Sequence, residues 1–157
     1  RLFYKDYSAE CRVFRNSLNL NQSDYLILWA CPPRNIGKDC LDFKLVLDCL
    51  EKFSQDNPKY KFLIRQHPNS KIFENEINLK NGFFCPKEIS IEVCLNSCDF
   101  VMSYNSTVLI QGAILEKILI THTLYDNIYD PRLFSYLNSC IFISQTFIFL
   151  LYNFIFL

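Results

Sequence analysis

Two short polar turns carry the residue types that could do chemistry in this chain. One is Arg65-Gln66-His67-Pro68 and the other is Ser103-Tyr104-Asn105-Ser106-Thr107. Each follows a short apolar run, Tyr60-Lys61-Phe62-Leu63-Ile64 before the first and Phe100-Val101-Met102 before the second. Pro68 biases His67 toward extended backbone and fixes the turn after it, which aims the imidazole out of a strand end. A ring N–H there can donate to a phosphate or protonate a phosphate leaving group. The plainer reading is a structural histidine donating to a nearby carbonyl. Asn105-Ser106-Thr107 opens a helix directly after a strand, where unpaired N–H groups and the positive dipole end favour an anion. Its plainer reading is that Ser106 is an N-cap and nothing more. A third turn, Cys31-Pro32-Pro33-Arg34-Asn35-Ile36-Gly37-Lys38-Asp39, brings the cations Arg34 and Lys38 to the end of another apolar run. The chemistry these turns share is recognition of phosphate, as in the anionic part of a nucleotide-linked substrate.

The elements that must position them read as alternating strands and helices. Tyr25-Leu26-Ile27-Leu28-Trp29-Ala30 has the continuous apolar pattern of a strand buried on both faces. Asp39 is placed to cap a helix over 40–55, whose apolar stripe includes Leu41, Leu45, Leu47, Leu50 and Phe53. Strands follow over 60–65, 99–103 and 117–121, with a short helix over 89–95 lacking an obvious cap and a helix over 107–115. Strand, helix, strand at this spacing is a parallel crossover unit. The expected class is therefore α/β, a doubly wound parallel sheet, with ligands at the carboxyl ends of its strands. Residues 1–24 read as a lead-in or interdomain connector, or equally as an edge strand with a loop; residues 69–88 read as polar and irregular. Residues 25–125 form the expected domain and 126–157 an apolar tail. Within that tail, 141–157 contains only four polar residues, Ser144, Gln145, Thr146 and Asn153, and no Lys or Arg follows Arg132. Three readings of it are open: a core element covered by a missing partner domain, a membrane-inserting segment, or the altered end of a truncated reading frame.

Composition narrows the functions. The 157 residues carry 16 basic and 16 acidic side chains, a balance that argues against a general nucleic-acid binder but leaves room for one phosphate-sized site. The chain starts at Arg1, which suggests a fragment or processed product, and no signal peptide is visible. Eight cysteines lie scattered, with no Cys-x-x-Cys pair, so they read as buried thiols in a reducing compartment. Cys94 and Cys98, four apart on the expected helix, are the one spacing that suits a metal pair. Only three glycines occur, and the dinucleotide, P-loop and nucleophile-elbow signatures are all missing. No cofactor and no metal are expected.

The run Arg65-Gln66-His67-Pro68 and the run Asp99-Phe100-Val101-Met102-Ser103-Tyr104-Asn105-Ser106-Thr107-Val108-Leu109-Ile110-Gln111 together resemble the C-terminal half of bacterial GT-B glycosyltransferases. The nearest flavour is surface-polysaccharide enzymes of capsule and lipopolysaccharide, sialyltransferase-like or Kdo-transferase-like. Poly(glycerophosphate) transferases and sugar-nucleotide 2-epimerases are similar over the same region, about residues 25–122. The resemblance implies a Rossmann-like nucleotide-sugar-binding half-domain. It implies that His67, Ser106 and Thr107 contact the donor phosphate. The strand-end turns themselves add Asn105, Arg34 and Lys38 to the expected phosphate site, with His67 as the expected catalytic residue. A Glu that binds the donor ribose falls on Gln111, and a Gly-Lys-Pro turn falls on Glu116-Lys117-Ile118. The implied partners are a CMP- or UDP-linked sugar and a glycan acceptor, with the acceptor's general base in an N-terminal domain. Cytoplasmic placement is implied, with peripheral attachment to the inner membrane face as an alternative. Rival readings are a 2-epimerase-like enzyme and a truncated, non-catalytic binding module.

Overall fold

The computed structural model describes residues 5–31, 39–68, 79–103, 106–122 and 140–143. Strands β1 (Tyr25–Ala30), β2 (Tyr60–Arg65), β3 (Gly82–Phe84), β4 (Phe100–Ser103), β5 (Ile118–His122) and β6 (Cys140–Ile143) form one sheet in the order β3-β2-β1-β4-β5-β6. Every adjacent pair is parallel. Helices α1 (Ser8–Ser17), α2 (Asp39–Asp56), α3 (Ile91–Ser97) and α4 (Thr107–Ile114) accompany it.

The sheet is doubly wound because the chain winds outward from the β1–β4 pair in both directions, first to β2 and β3 and then to β5 and β6. The path from β1 to β2 puts α2 on one face, where Leu47, Leu50 and Phe53 pack on Ile27, Trp29, Phe62, Ile64 and Met102. The paths through β4 and β5 run the other way and put α3 and α4 on the second face, where Val93, Leu95 and Leu109 pack on Leu26, Leu28, Leu63, Val101 and Leu119. β1 is central, and five of its six residues are buried, as its unbroken apolar run requires. The expected strands all occur, within one residue of their expected ends.

Three stretches differ from the sequence reading. Within residues 5–24 lies the helix α1, tied into the domain. Phe14 is buried in the second core, and Tyr7, Cys11 and Leu18 pack against it. Arg15 donates to the carbonyls of Ser97 (2.7 Å) and Asp24 (3.1 Å) and pairs with Asp99 at 3.4 Å. Asp99 in turn accepts from the Leu26 N–H at 2.7 Å, so one network joins α1, β1 and β4 at the strands' amino ends. The signal was a helical stripe, 7-11-14-18, spread thinly among polar residues. Second, the stretch read as irregular holds β3, an edge strand of three residues, shorter than pattern reading can detect. A Cβ on Gly82 would sit 2.7 Å from Leu79 Cβ, so glycine permits the turn that launches this strand. Third, α3 runs two residues later than expected and does have a cap: Ser90 accepts the Val93 N–H.

Cys140–Ile143, in the segment read as tail, pairs with β5 as the sixth strand. Residues 144–157 lie outside the described residues, as does most of the loop carrying Arg34 and Lys38. Among the described residues no helix is long and apolar enough to cross a membrane.

Candidate functional site at the carboxyl edge of the sheet

In the order β3-β2-β1-β4-β5-β6 the winding reverses between β1 and β4, and ligands of open α/β sheets bind outside the carboxyl ends at such a reversal. Ala30 is level with Arg65 on one side and with Ser103 on the other, and Ser103 is level with Thr121. Three strands therefore stop at one height, and the chain leaves all three at one edge of the sheet. Cys31 N–H donates to the Arg65 carbonyl at 2.9 Å, carrying the β1–β2 ladder one residue further. The buried Ser103 hydroxyl donates to the Ala30 carbonyl at 2.8 Å and ties β1 to β4 at the reversal. Sequence reasoning did not single out Ser103. A serine at a strand end carries no signal of its own, and only the pairing of β4 beside β1 supplies the partner.

His67 lies two residues past the end of β2 and is half-buried. Ser106 and Thr107 lie three and four residues past the end of β4, on the same edge. β1 runs between the two turns, so their backbones start two strand spacings apart, roughly 10 Å. Ser106 does cap α4: its hydroxyl accepts the Val108 N–H at 3.3 Å, and its carbonyl accepts the Leu109 N–H at 3.0 Å. No acidic residue stands in the first turn of α4, so its positive end is not neutralised from within. Thr107 is exposed, and Gln111, one turn further on the same helix face, is half-buried. Arg34, Lys38 and Asn105 lie outside the described residues.

What lets α4 reach this edge is Gly112. A Cβ there would meet Leu119 Cδ2 at 2.9 Å and Val101 Cγ2 at 3.0 Å, so the helix lies flush on β4 and β5. At its other end the Lys117 N–H donates to the Gly112 carbonyl and the Glu116 N–H to the Ala113 carbonyl, each at 3.0 Å, the paired hydrogen bonds of a Schellman turn. Glu116 takes the left-handed position, with φ 55°. The glycine of the Gly-Lys-Pro turn implied by the resemblance falls on this residue.

The two cysteines whose spacing would suit a metal pair have separate partners. Cys98 is buried and donates to the Leu95 carbonyl at 3.2 Å, with its thiol pushed up to about 12, chiefly by burial. Cys94 faces Cys85 and the Arg65 guanidinium, and a cation at 3.4 Å from its sulfur opposes a second one.

The fold is Rossmann-like, a doubly wound parallel sheet of the kind that makes one half of a GT-B protein. No protein-family model matches this chain, and no curated protein does. Solved structures match its fold. A family 9 glycosyl transferase from Veillonella parvula superimposes with a TM-score of 0.67 at 12% identity, over 96% of this chain and 44% of that one. The UDP-GlcNAc 2-epimerase of Methanocaldococcus jannaschii gives 0.61 at 19% identity, over 89% and 39%. The wall teichoic acid polymerase TagF gives 0.57 at 21% identity, over 80% and 31%. The chain thus spans less than half the length of each of these proteins.

Proposed function

We propose that this chain is the nucleotide-sugar-binding half of a glycosyltransferase of surface-glycan synthesis. The observation that carries the reading is the level ending of β2, β1 and β4 at the winding reversal, with the un-neutralised start of α4 beside it. An edge of this kind suits a nucleoside diphosphate or monophosphate bearing a sugar. In this reading His67 donates to the donor's phosphate from one side of β1. Ser106 and Thr107, with Asn105, hold it from the other, and Arg34 and Lys38, in the segment after β1, supply cations. Gln111 takes the ribose as a neutral hydrogen-bond partner. These donors stabilise the charge that builds on the departing nucleotide, and His67 is suited to supply a proton to it. The reading calls for no metal ion. The acceptor glycan and its general base are assigned to a further domain, and the work to the cytoplasmic side of a membrane.

Calorimetric titration with UDP-, CMP- and CDP-linked sugars tests it. One of them is expected to bind with a dissociation constant of roughly 1 mM or tighter, and the bare nucleotide to compete. Failure of every nucleotide to bind the folded chain would sink the reading. Inversion at the sugar's C2 without any acceptor would replace it with the epimerase, whose fold this chain shares.

A further inference from the structure

At the carboxyl ends of β2 and β3, on the face that carries α3, a cation meets two thiols. Arg65 is the last residue of β2, Cys85 follows β3, and Cys94 lies on α3. The two sulfurs are 3.3 Å apart. The same Arg65 Nη1 lies 3.4 Å from each of them and donates to the Ile89 carbonyl at 2.7 Å, which fixes it between β2 and the turn leading into α3. Cys85 is held in place from its other end, its N–H donating to the Ile64 carbonyl at 2.9 Å. Bonded sulfurs sit near 2.05 Å, so roughly 1 Å of closure separates this contact from a bond. The two thiols differ in access: Cys94 is wholly buried, while Cys85 is only half-buried.

We propose that Cys85 and Cys94 are a reversible disulfide site, oxidised by exchange with a small-molecule disulfide. The Cys85 thiolate attacks one sulfur of the small disulfide, forms a mixed disulfide and releases one thiolate. The Cys94 thiol then gives up its proton to that thiolate and attacks the Cys85 sulfur. The Cys85–Cys94 bond forms and the second small thiolate leaves. Two protein thiols are oxidised and one small disulfide becomes two thiols. The order follows from access, since an incoming reagent meets Cys85 first and Cys94 waits behind it. Acidity agrees: the Cys85 thiol is lowered to about 7, first by the hydrogen bond from Cys94 and then by the Arg65 charge, against the opposing effect of burial. Cys94 is pushed the other way, by donating to Cys85 and by burial, so it is the protonated member of the pair. This inference stands independently of the nucleotide reading.

The test treats the reduced 157-residue chain with oxidised glutathione near neutral pH, traps remaining thiols with N-ethylmaleimide, and maps the peptides by mass. The first disulfide formed is expected to join Cys85 to Cys94 and to reverse with dithiothreitol, whereas the urea-unfolded chain gives a scrambled set. In the Cys94→Ser protein, glutathione should accumulate on Cys85, with no second thiol to expel it. Arg65→Gln should slow the first step roughly three- to tenfold by removing the charge that favours the thiolate. Recovery of both Cys85 and Cys94 as alkylated thiols while other cysteines oxidise would overturn the proposal. So would the same mixture of pairs from native and unfolded chain.

Discussion

At the scale of single residues, His67 and Ser106 separate binding from support. A charge-assisted hydrogen bond to phosphate contributes about 1.5–3 kcal/mol, so His67→Ala should weaken nucleotide affinity roughly ten- to a hundredfold, with melting temperature nearly unchanged. A fall in stability with affinity per folded molecule retained would make it a brace instead. Ser106 already spends its hydroxyl on the Val108 N–H, so Ser106→Ala should cost about 1 kcal/mol of stability through the lost cap. Its loss of affinity should be smaller than that of His67→Ala, because the helix amides remain to meet an anion. Measuring both quantities on each variant gives opposite patterns for the two residues, and similar patterns would reject this division of roles.

At the scale of elements, α4 is the part on which the phosphate reading leans, and both its ends make testable demands. Gly112→Ala would push a methyl into Val101 and Leu119, which are branched side chains packed in the sheet face. Overpacking of this kind costs about 1–3 kcal/mol, and alanine's better helix propensity returns about 1 of it. The expected result is net destabilisation by chemical denaturation, accompanied by weaker nucleotide binding as the helix start is displaced. Glu116→Gly should act in the other direction. A left-handed non-glycine residue carries about 1–2 kcal/mol of steric cost, and glycine's greater chain entropy offsets part of that. A net gain of about 0.5–1 kcal/mol, a rise in melting temperature of about 2 °C, is expected. An unchanged or lower melting temperature would refute the assigned strain.

At the scale of the whole molecule, the sixth strand changes which truncation is informative. Ending the chain after Ile143 keeps β6, whereas ending it after Cys140 removes most of a strand paired with β5. The residues beyond 143 are apolar without charged gatekeepers, so the 143-residue chain should give more soluble protein than the full one and still unfold cooperatively. Loss of cooperativity on that cut would mean that residues 144–157 belong to the core. The sequence by itself determined the class and most of the sheet, because a strand buried on both faces must be apolar throughout, as Tyr25–Ala30 is, and because crossovers of this length force parallel pairing. It also located His67 and Ser106-Thr107 as strand-end turns. Tertiary structure alone decided the rest. The strand order put β1 between those two turns and so set their separation. The same order gave the Ser103 hydroxyl its partner and brought Cys85 to Cys94 under Arg65. Each of these is a relation between segments far apart in the chain, and pairing choices among parallel strands leave no trace in local periodicity. α1 and β3 were hidden for the opposite reason: their local patterns are too thin or too short, and α1's packing on α3 and β3's pairing with β2 are what stabilise them.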